Sequence, residues 1–223
     1  MALAHAIEIP AEPSNRVRAG ALSFNAVAGT RESALQLPIR PPFNLSPGSL
    51  PPNTPDPSEL FELLAKWDGP YAGGNCLRQQ TAAWRLTGAE GAAWLIARSS
   101  EETDIELLDR VALTLSEIGQ PAIDPILRWV DCSAGSEHLC ALFQALAWMD
   151  RTQTAESIDA IAAAIDVGLG SDSKDVREKA IAAAGALPYQ NAATLLREHI
   201  DVERDPTLKA LTTQTFRSLG AEC

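Results

Sequence analysis

The sequence predicts an all-α protein: a short α-solenoid of about five helical hairpins that follows an extended, proline-rich N-terminal arm. Three observations support this fold class. Ten of the fifteen prolines fall within the first 57 residues, where they exclude long helices. After them, apolar residues recur at helical spacing, and the pattern itself repeats about every thirty residues. Aromatic residues make up 5% of a chain that is 46% hydrophobic, which favours a helical protein over a membrane protein or a disordered chain.

The extended arm is assigned to residues 1–55. It contains more apolar residues than a solvated linker needs, and residues 22–26 alternate between apolar and polar in the manner of a short strand. Two interpretations stay open: a flexible leader, or a segment that docks on the body or on a partner. In the second case Leu22, Phe24 and Phe43 are the candidate anchors.

The predicted body, residues 56–223, begins with a helix over 58–67 that caps the array, with Asp56 or Ser58 as its N-cap. The clearest repeat unit follows later in the chain. Its apolar stripe has offsets of four, four and three residues, which place all four side chains on one helix face: Leu107, Val111, Leu115 and Ile118. Equivalent stripes occur elsewhere in the body, so that five stripes in all start at residues 77, 107, 138, 176 and 208. The first stripe, which ends at Leu86, is weaker than the others.

A second apolar helix is predicted after each of the first four stripes, over residues 89–98, 121–130, 155–167 and 192–200. In the clearest turn, Gly119 can adopt the left-handed conformation that ends a helix, and Pro121 suits the start of the next one. Each pair of helices is a hairpin that needs neighbours to bury its apolar face. The last helix, over 205–219, has no second helix, so it either caps the stack or offers an apolar face to another subunit.

Two segments carry a resemblance to a known family. Residues 119–127 with the stripe before them, and residues 176–187, resemble HEAT repeats, in particular the short HEAT-like units of phycobilin lyases. The pairs Val176-Arg177 and Leu77-Arg78 match the pair that opens the first helix in that family, and Asp175 matches an acidic residue of the preceding turn. The resemblance covers about residues 70–220. It implies that first helices line the convex side and second helices the concave side, and that the array is a binding scaffold.

The charge balance bears on the partner. Lys and Arg number 18 against 29 Asp and Glu, so the net charge of −11 disfavours nucleic acid and favours a protein with a basic surface. Neither a signal peptide nor a transmembrane segment is evident in the sequence. The four cysteines, at 76, 132, 140 and 223, have no regular spacing, which is typical of a reducing compartment. The predicted location is the cytoplasm.

Residues able to perform catalysis are scarce. Only three histidines occur, and no nucleotide-binding, zinc-protease or serine-hydrolase motif is present. Cys132, His138 and Cys140 could in principle hold zinc, but a packed histidine is the favoured interpretation because no fourth ligand has suitable spacing. Clustered carboxylates such as Asp172 and Asp175 are interpreted as solvated helix starts. No catalytic, cofactor or metal residue is therefore assigned.

Partner-binding residues are predicted on the second helices, which carry large anchors and cations that suit a protein interface. These candidates are Trp94, Arg98, Arg128, Trp129, Arg197 and His199. Packing between helices is the alternative role for each tryptophan.

The resulting functional hypothesis is a non-enzymatic, protein-binding adaptor or accessory subunit of a multiprotein assembly. Its recognition surface would combine the concave helix face with the N-terminal arm, and oligomerisation could use the arm or the C-terminal helix. The alternative is an enzyme similar to the bilin lyases, or a helper subunit of one. A nucleic-acid-binding array is less favoured because of the acidic charge.

Overall fold

The computed structural model describes residues 54–66, 75–131, 135–150, 152 and 154–221, with the side chains of 75–80 left out. Within these residues all regular structure is helical, which confirms the predicted all-α class. The elements are α1 (Pro57–Ala65), α2 (Asn75–Ser99), α3 (Ile105–Ile118), α4 (Gln120–Asp131), α5 (Ser136–Trp148), a 3-10 turn (Ala155–Ser157), α6 (Ile158–Leu169), α7 (Lys174–Gly185), α8 (Tyr189–Val202) and α9 (Pro206–Ala221).

Every described helix lies in the larger of the two units into which the chain divides, residues 40–223; the other unit is residues 1–39. Residues 1–53 of the predicted arm, including Leu22, Phe24 and Phe43, lie outside the described residues.

Acceptor side chains fix several helix starts. Asp56 accepts a hydrogen bond from the Ser58 backbone N–H at 2.9 Å, so Asp56 is the N-cap of α1. Asp104 caps α3 and Asp205 caps α9 in the same way. Ser173 caps α7 through its hydroxyl oxygen. These caps satisfy backbone N–H groups that a helix leaves without a partner at its first turn.

The predicted apolar stripes form the core. Leu107, Val111, Leu115 and Ile118 of α3 are all buried, and one continuous cluster of buried apolar residues includes members of each described α-helix, α1 to α9. Leu86 is an exception: the sequence places it at the end of the first stripe, but its side chain is 67% exposed.

The helices contact one another in two interleaved series. Helices α3, α5, α7 and α9 each contact the next member of that series, and so do α2, α4, α6 and α8. Helix α1 contacts α2 and α3 at the start of both. Alternate helices therefore pack against one another along the described part of the chain.

Helix α9 closes the series with a polar outer surface. It buries Leu208, Thr212 and Leu219, whereas Lys209, Gln214 and Arg217 are exposed.

Two glycines form the tightest connections. Gly119, between α3 and α4, has φ 77° and ψ −139°: the predicted positive φ is present, but ψ lies outside the ordinary left-handed helical region. Gly88 has nearly the same conformation, with φ 60° and ψ −147°. The sequence predicts one helix that ends near Leu86 and another that starts at Ala89. In the structure, the non-helical residue Gly88 divides α2 at this point. Side chains with a Cβ rarely adopt this conformation.

We predict that Gly88→Ala lowers the free energy of unfolding by about 1–3 kcal/mol, because the backbone conformation is unfavourable for alanine. A Cβ at Gly88 would meet nothing within 4 Å, so steric overlap adds no cost. Urea denaturation measures the change. Gly220→Ala is the control, since its Cβ would also be in open space but its backbone has no positive φ. Equal effects of the two substitutions would contradict this explanation.

Arginine side chains connect neighbouring elements through backbone carbonyls. Arg110 of α3 donates to the Leu64 carbonyl oxygen at 3.1 Å and to that of Ala65 at 3.3 Å, at the end of α1. Arg85 of α2 donates to the Glu117 carbonyl oxygen at 2.7 Å, near the end of α3. Cations at these carbonyls satisfy helix ends and complement their negative dipole.

Arg177 joins the turn before α7 to the turn before α9. Its Nη1 donates to the carbonyl oxygens of Ser171 and Asp172, at 2.9 and 3.1 Å. Its Nε donates to the buried Glu203 carboxylate at 2.8 Å, and the Asp205 backbone N–H donates to the same carboxylate at 2.8 Å. The arginine of the Val176-Arg177 pair thus links two successive repeat units.

We predict that Arg177→Met costs about 3 kcal/mol of folding stability, because it leaves the buried Glu203 carboxylate without its cation. Urea denaturation at neutral pH tests this. The double substitution Arg177→Met with Glu203→Gln should be more stable than Arg177→Met alone, since it buries no unpaired charge. A single-variant loss of only about 0.5 kcal/mol, as at ordinary surface positions, would refute the role of this ion pair.

Candidate protein-binding surface

The six predicted partner-binding residues on the second helices differ in their burial and in their neighbours. Trp94 is half-buried, with its ring centroid 6.0 Å from that of Phe61 and 6.4 Å from that of Trp84. Arg98 lies with its guanidinium carbon 4.7 Å from the Phe61 ring centroid and its Nη1 2.9 Å from Glu102. Trp94 and Arg98 therefore share Phe61 as a neighbour, and each keeps some solvent exposure.

The other four candidates have different surroundings. Trp129 is only 3% exposed and packs edge-on against His138, while His199 is buried with Nε2 3.1 Å from Glu203 Oε2. These two side chains belong to the core and have little surface to offer a partner. Arg197 lies over the Phe216 ring at 5.7 Å, and Arg128 is exposed.

His138 is held in the core by a specific contact. Its Nε2 lies 3.3 Å from the Ser99 hydroxyl oxygen, and that hydroxyl donates to the Leu95 carbonyl. The Ser99 hydroxyl oxygen can therefore accept a hydrogen bond from the Nε2–H group of the neutral imidazole. Burial lowers the pKa of His138 from 6.5 to about 4, although a hydrogen bond with the Ile96 backbone acts in the opposite direction.

Cys140 has a different environment from His138. It is partly buried and lies beside Asp175 and Lys179 on a surface groove. Burial and the charge of Asp175 are the main causes that raise the pKa of the Cys140 thiol to about 11. The thiol is therefore protonated at neutral pH and is a poor nucleophile and metal ligand. Among the residues that the structure describes, no three His, Cys, Asp or Glu side chains are grouped to hold a metal; Cys132 lies outside them.

The groove beside Cys140 crosses the first turns of three consecutive first helices, α3, α5 and α7. Its volume is about 250 Å³. We call it the acidic groove. Its lining residues are Ile105, Leu108, Asp109, Ser136, Glu137, Cys140, Ala141, Asp175 and Lys179. The floor is largely apolar and the rim carries three carboxylates and one ammonium group.

Local sequence explains how the acidic groove forms. Ile105 is the first residue of α3, directly after the N-cap Asp104, and its position outside the buried stripe leaves it 69% exposed. Glu137 and Asp175 lie in the first turns of α5 and α7, where the helix dipole favours acidic side chains. Because these helices pack side by side, their acidic first turns meet around an exposed apolar side chain.

The sequence does not predict the acidic groove. From the sequence, Asp175 is only a residue at the start of a helix, and the recognition surface is predicted on the second helices. One available signal is Ile105, a large apolar residue outside the helical stripe and next to an N-cap. The adjacency of the three first turns depends on tertiary packing.

No protein-family model, curated protein or solved structure matches the chain. The HEAT resemblance therefore stays a prediction. No described helix is both long enough and apolar enough to cross a membrane.

The buried His138 generates a pH prediction. The pKa of His138 is lower in the folded state than in the unfolded state. Between about pH 6.5 and pH 4 the unfolded chain therefore binds a proton at His138 that the folded chain does not bind. The free energy of unfolding decreases as the pH is lowered through this range. The expected loss in unfolding free energy between pH 7 and pH 5 is about 2 kcal/mol. Urea denaturation at several pH values measures it.

His138→Gln is expected to remove most of this pH dependence, whatever its effect on stability at pH 7. His199→Gln is the matched control: its pKa is also lowered, mainly by burial, so it should remove a separate contribution and retain the part due to His138. An unchanged slope in the His138→Gln variant would contradict the assignment.

Proposed function

We propose that this protein is a non-enzymatic α-solenoid that binds another protein and acts as an adaptor or accessory subunit of a multiprotein assembly. The order of helix contacts supports a solenoid, because each hairpin rests on the next as stacked HEAT-like repeats do. The HEAT-like character of the units and the extended N-terminal arm belong to the same proposal.

The observation that carries the proposal is the acidic groove. It crosses α3, α5 and α7, so its surface is built from three successive repeat units. A groove that spans consecutive helices can contact several residues of an extended partner segment. An apolar floor with a charged rim also has the composition of a protein interface, in which burial supplies affinity and charge supplies selectivity.

The chemistry of the acidic groove favours binding over catalysis. Its thiol, Cys140, is protonated at neutral pH, and His138 is buried against Ser99 in the core. A thiol is an effective nucleophile as the thiolate, and the raised pKa of Cys140 keeps its sulfur protonated at neutral pH. The negative rim disfavours nucleic acid because phosphates would meet carboxylates.

The N-terminal arm supplies a second contact with the partner in this proposal. Its apolar residues, including Leu22, Phe24 and Phe43, are candidate anchors for that contact. The cytoplasm is the proposed location.

Affinity capture from native extract with quantitative mass spectrometry tests the proposal. The full chain should recover a reproducible partner set. The variant Asp109→Lys, Glu137→Lys, Asp175→Lys should recover about tenfold less of it, because reversal of three rim charges turns attraction into repulsion. Circular dichroism checks that the variant keeps its helicity.

The matched control is Asp124→Lys, Asp166→Lys, Asp201→Lys. It makes the same change of net charge at exposed positions on the second helices α4, α6 and α8. Its partner set should stay close to that of the unmodified chain. If the full chain captures no partner even after crosslinking, the proposed function is wrong. Equal losses in both variants would show that bulk charge, and not the acidic groove, recruits the partners.

A chain without residues 1–55 tests the arm separately. Loss of partners with unchanged helicity would assign a contact to the arm.

A further inference from the structure

The acidic groove combines two features that rarely suit the same ligand. Ile105 is a β-branched apolar side chain that is 69% exposed, and it gives the acidic groove an accessible apolar surface. Around this surface lie the carboxyl groups of Asp109, Glu137 and Asp175. A ligand that covers the floor must be apolar, whereas a ligand that meets the rim must be cationic.

The one ammonium group in the lining is already engaged. Lys179 Nζ donates to the Gln144 side-chain oxygen at 2.7 Å, and this contact directs the amine to a residue of α5. The charged groups around Cys140 are mostly negative. Asp175, Glu137 and Glu178 all act to raise the pKa of its thiol, while Lys179 alone among the surrounding charges opposes them. The acidic groove therefore carries excess negative charge beside an apolar floor.

Lysine and arginine side chains satisfy both requirements together. Each has an aliphatic stem that can cover apolar surface and a cationic end that can reach beyond it to a carboxylate. The volume of about 250 Å³ is large enough for one or two such side chains. It is smaller than the pockets that usually hold organic cofactors.

We propose that the occupant of the acidic groove is a basic segment of the partner protein, anchored by a lysine or arginine. The stem of the anchor lies on Ile105, and its charged end lies among Asp109, Glu137 and Asp175. This inference rests on the proposed function and names the partner chemistry that the acidic groove selects.

The spacing of the repeats suggests the form of that segment. Packed helix axes are about 8–10 Å apart. A segment in the polyproline II conformation rises about 3.1 Å per residue and makes one turn in three residues, so every third side chain lies on the same face and meets the next helix. A basic residue at every third position would place successive cations near α3, α5 and α7.

Fluorescence anisotropy with defined peptides tests this inference on the full chain. The probe is a fluorescein-labelled peptide of about twelve residues, with lysine at every third position in a glycine-serine background. A second peptide replaces each lysine with diaminopropionate, which keeps an amine but has a much shorter stem. A third replaces each lysine with glutamate. We expect the lysine peptide to bind most tightly, diaminopropionate to bind more weakly, and glutamate not to bind.

Two groove variants separate the contributions of charge and stem. Asp109→Asn, Glu137→Gln, Asp175→Asn should weaken the lysine peptide about tenfold at low salt. Ile105→Ser should weaken the lysine peptide about threefold but change diaminopropionate binding much less, because only the longer stem covers this side chain. Ile105 is exposed, so the substitution should leave the fold intact.

The control variant is Asp124→Asn, Asp166→Asn, Asp201→Asn, which removes the same charge from the second helices. It should change affinity by less than about twofold. Equal weakening by both triple variants, equal affinity for lysine and diaminopropionate, or no binding of the lysine peptide would each overturn the inference. Failure of the peptide to bind, together with partner capture that depends on the acidic groove, would reject the basic anchor and leave the proposed function standing. Failure of both experiments would reject both.

Discussion

The described helices cover one another's apolar faces, and the rest of the structure depends on that mutual burial. In α3, Val111 and Leu115 are fully buried, and α3 contacts α2, α4 and α5. Burial contributes about 25 cal/mol for each Å² of apolar surface, and an amphipathic helix gains it only when neighbouring helices cover that surface. The folded chain therefore gains stability from the interfaces between its packed helices.

Directional polar contacts fix the positions of neighbouring helices relative to one another. Apolar burial alone would allow neighbouring helices to slide, because it depends on area and has little directionality. Arg110 and Arg177 bind particular carbonyl oxygens in other elements, and Arg177 also pairs with the buried Glu203. Gly88 adds a sharp change of direction within α2. Together these contacts select one arrangement among many that would bury similar area.

The acidic groove follows from the same packing. Helices α5 and α7 begin with acidic first turns that suit their own dipoles, and the side-by-side arrangement of α3, α5 and α7 brings Glu137 and Asp175 to one surface with Asp109. Carboxylates on three separate helices thereby produce one region of negative electrostatic potential across α3, α5 and α7. The function proposed for the chain uses this field, because a basic segment gains from several carboxylates that no single hairpin provides.

The sequence by itself determined the helical class, most helix positions and the buried stripes, because a periodicity near 3.6 residues and the capping residues act within one helix. It also identified Asp56 as a possible cap and Gly119 as a turn with positive φ. It placed Trp94, Trp129 and Arg197 in one prospective groove, yet Trp129 lies in the core and Arg197 lies beside Phe216. Tertiary structure alone decided which exposed side chains meet, because residues as distant in sequence as Ile105 and Asp175 become neighbours only when successive helices pack.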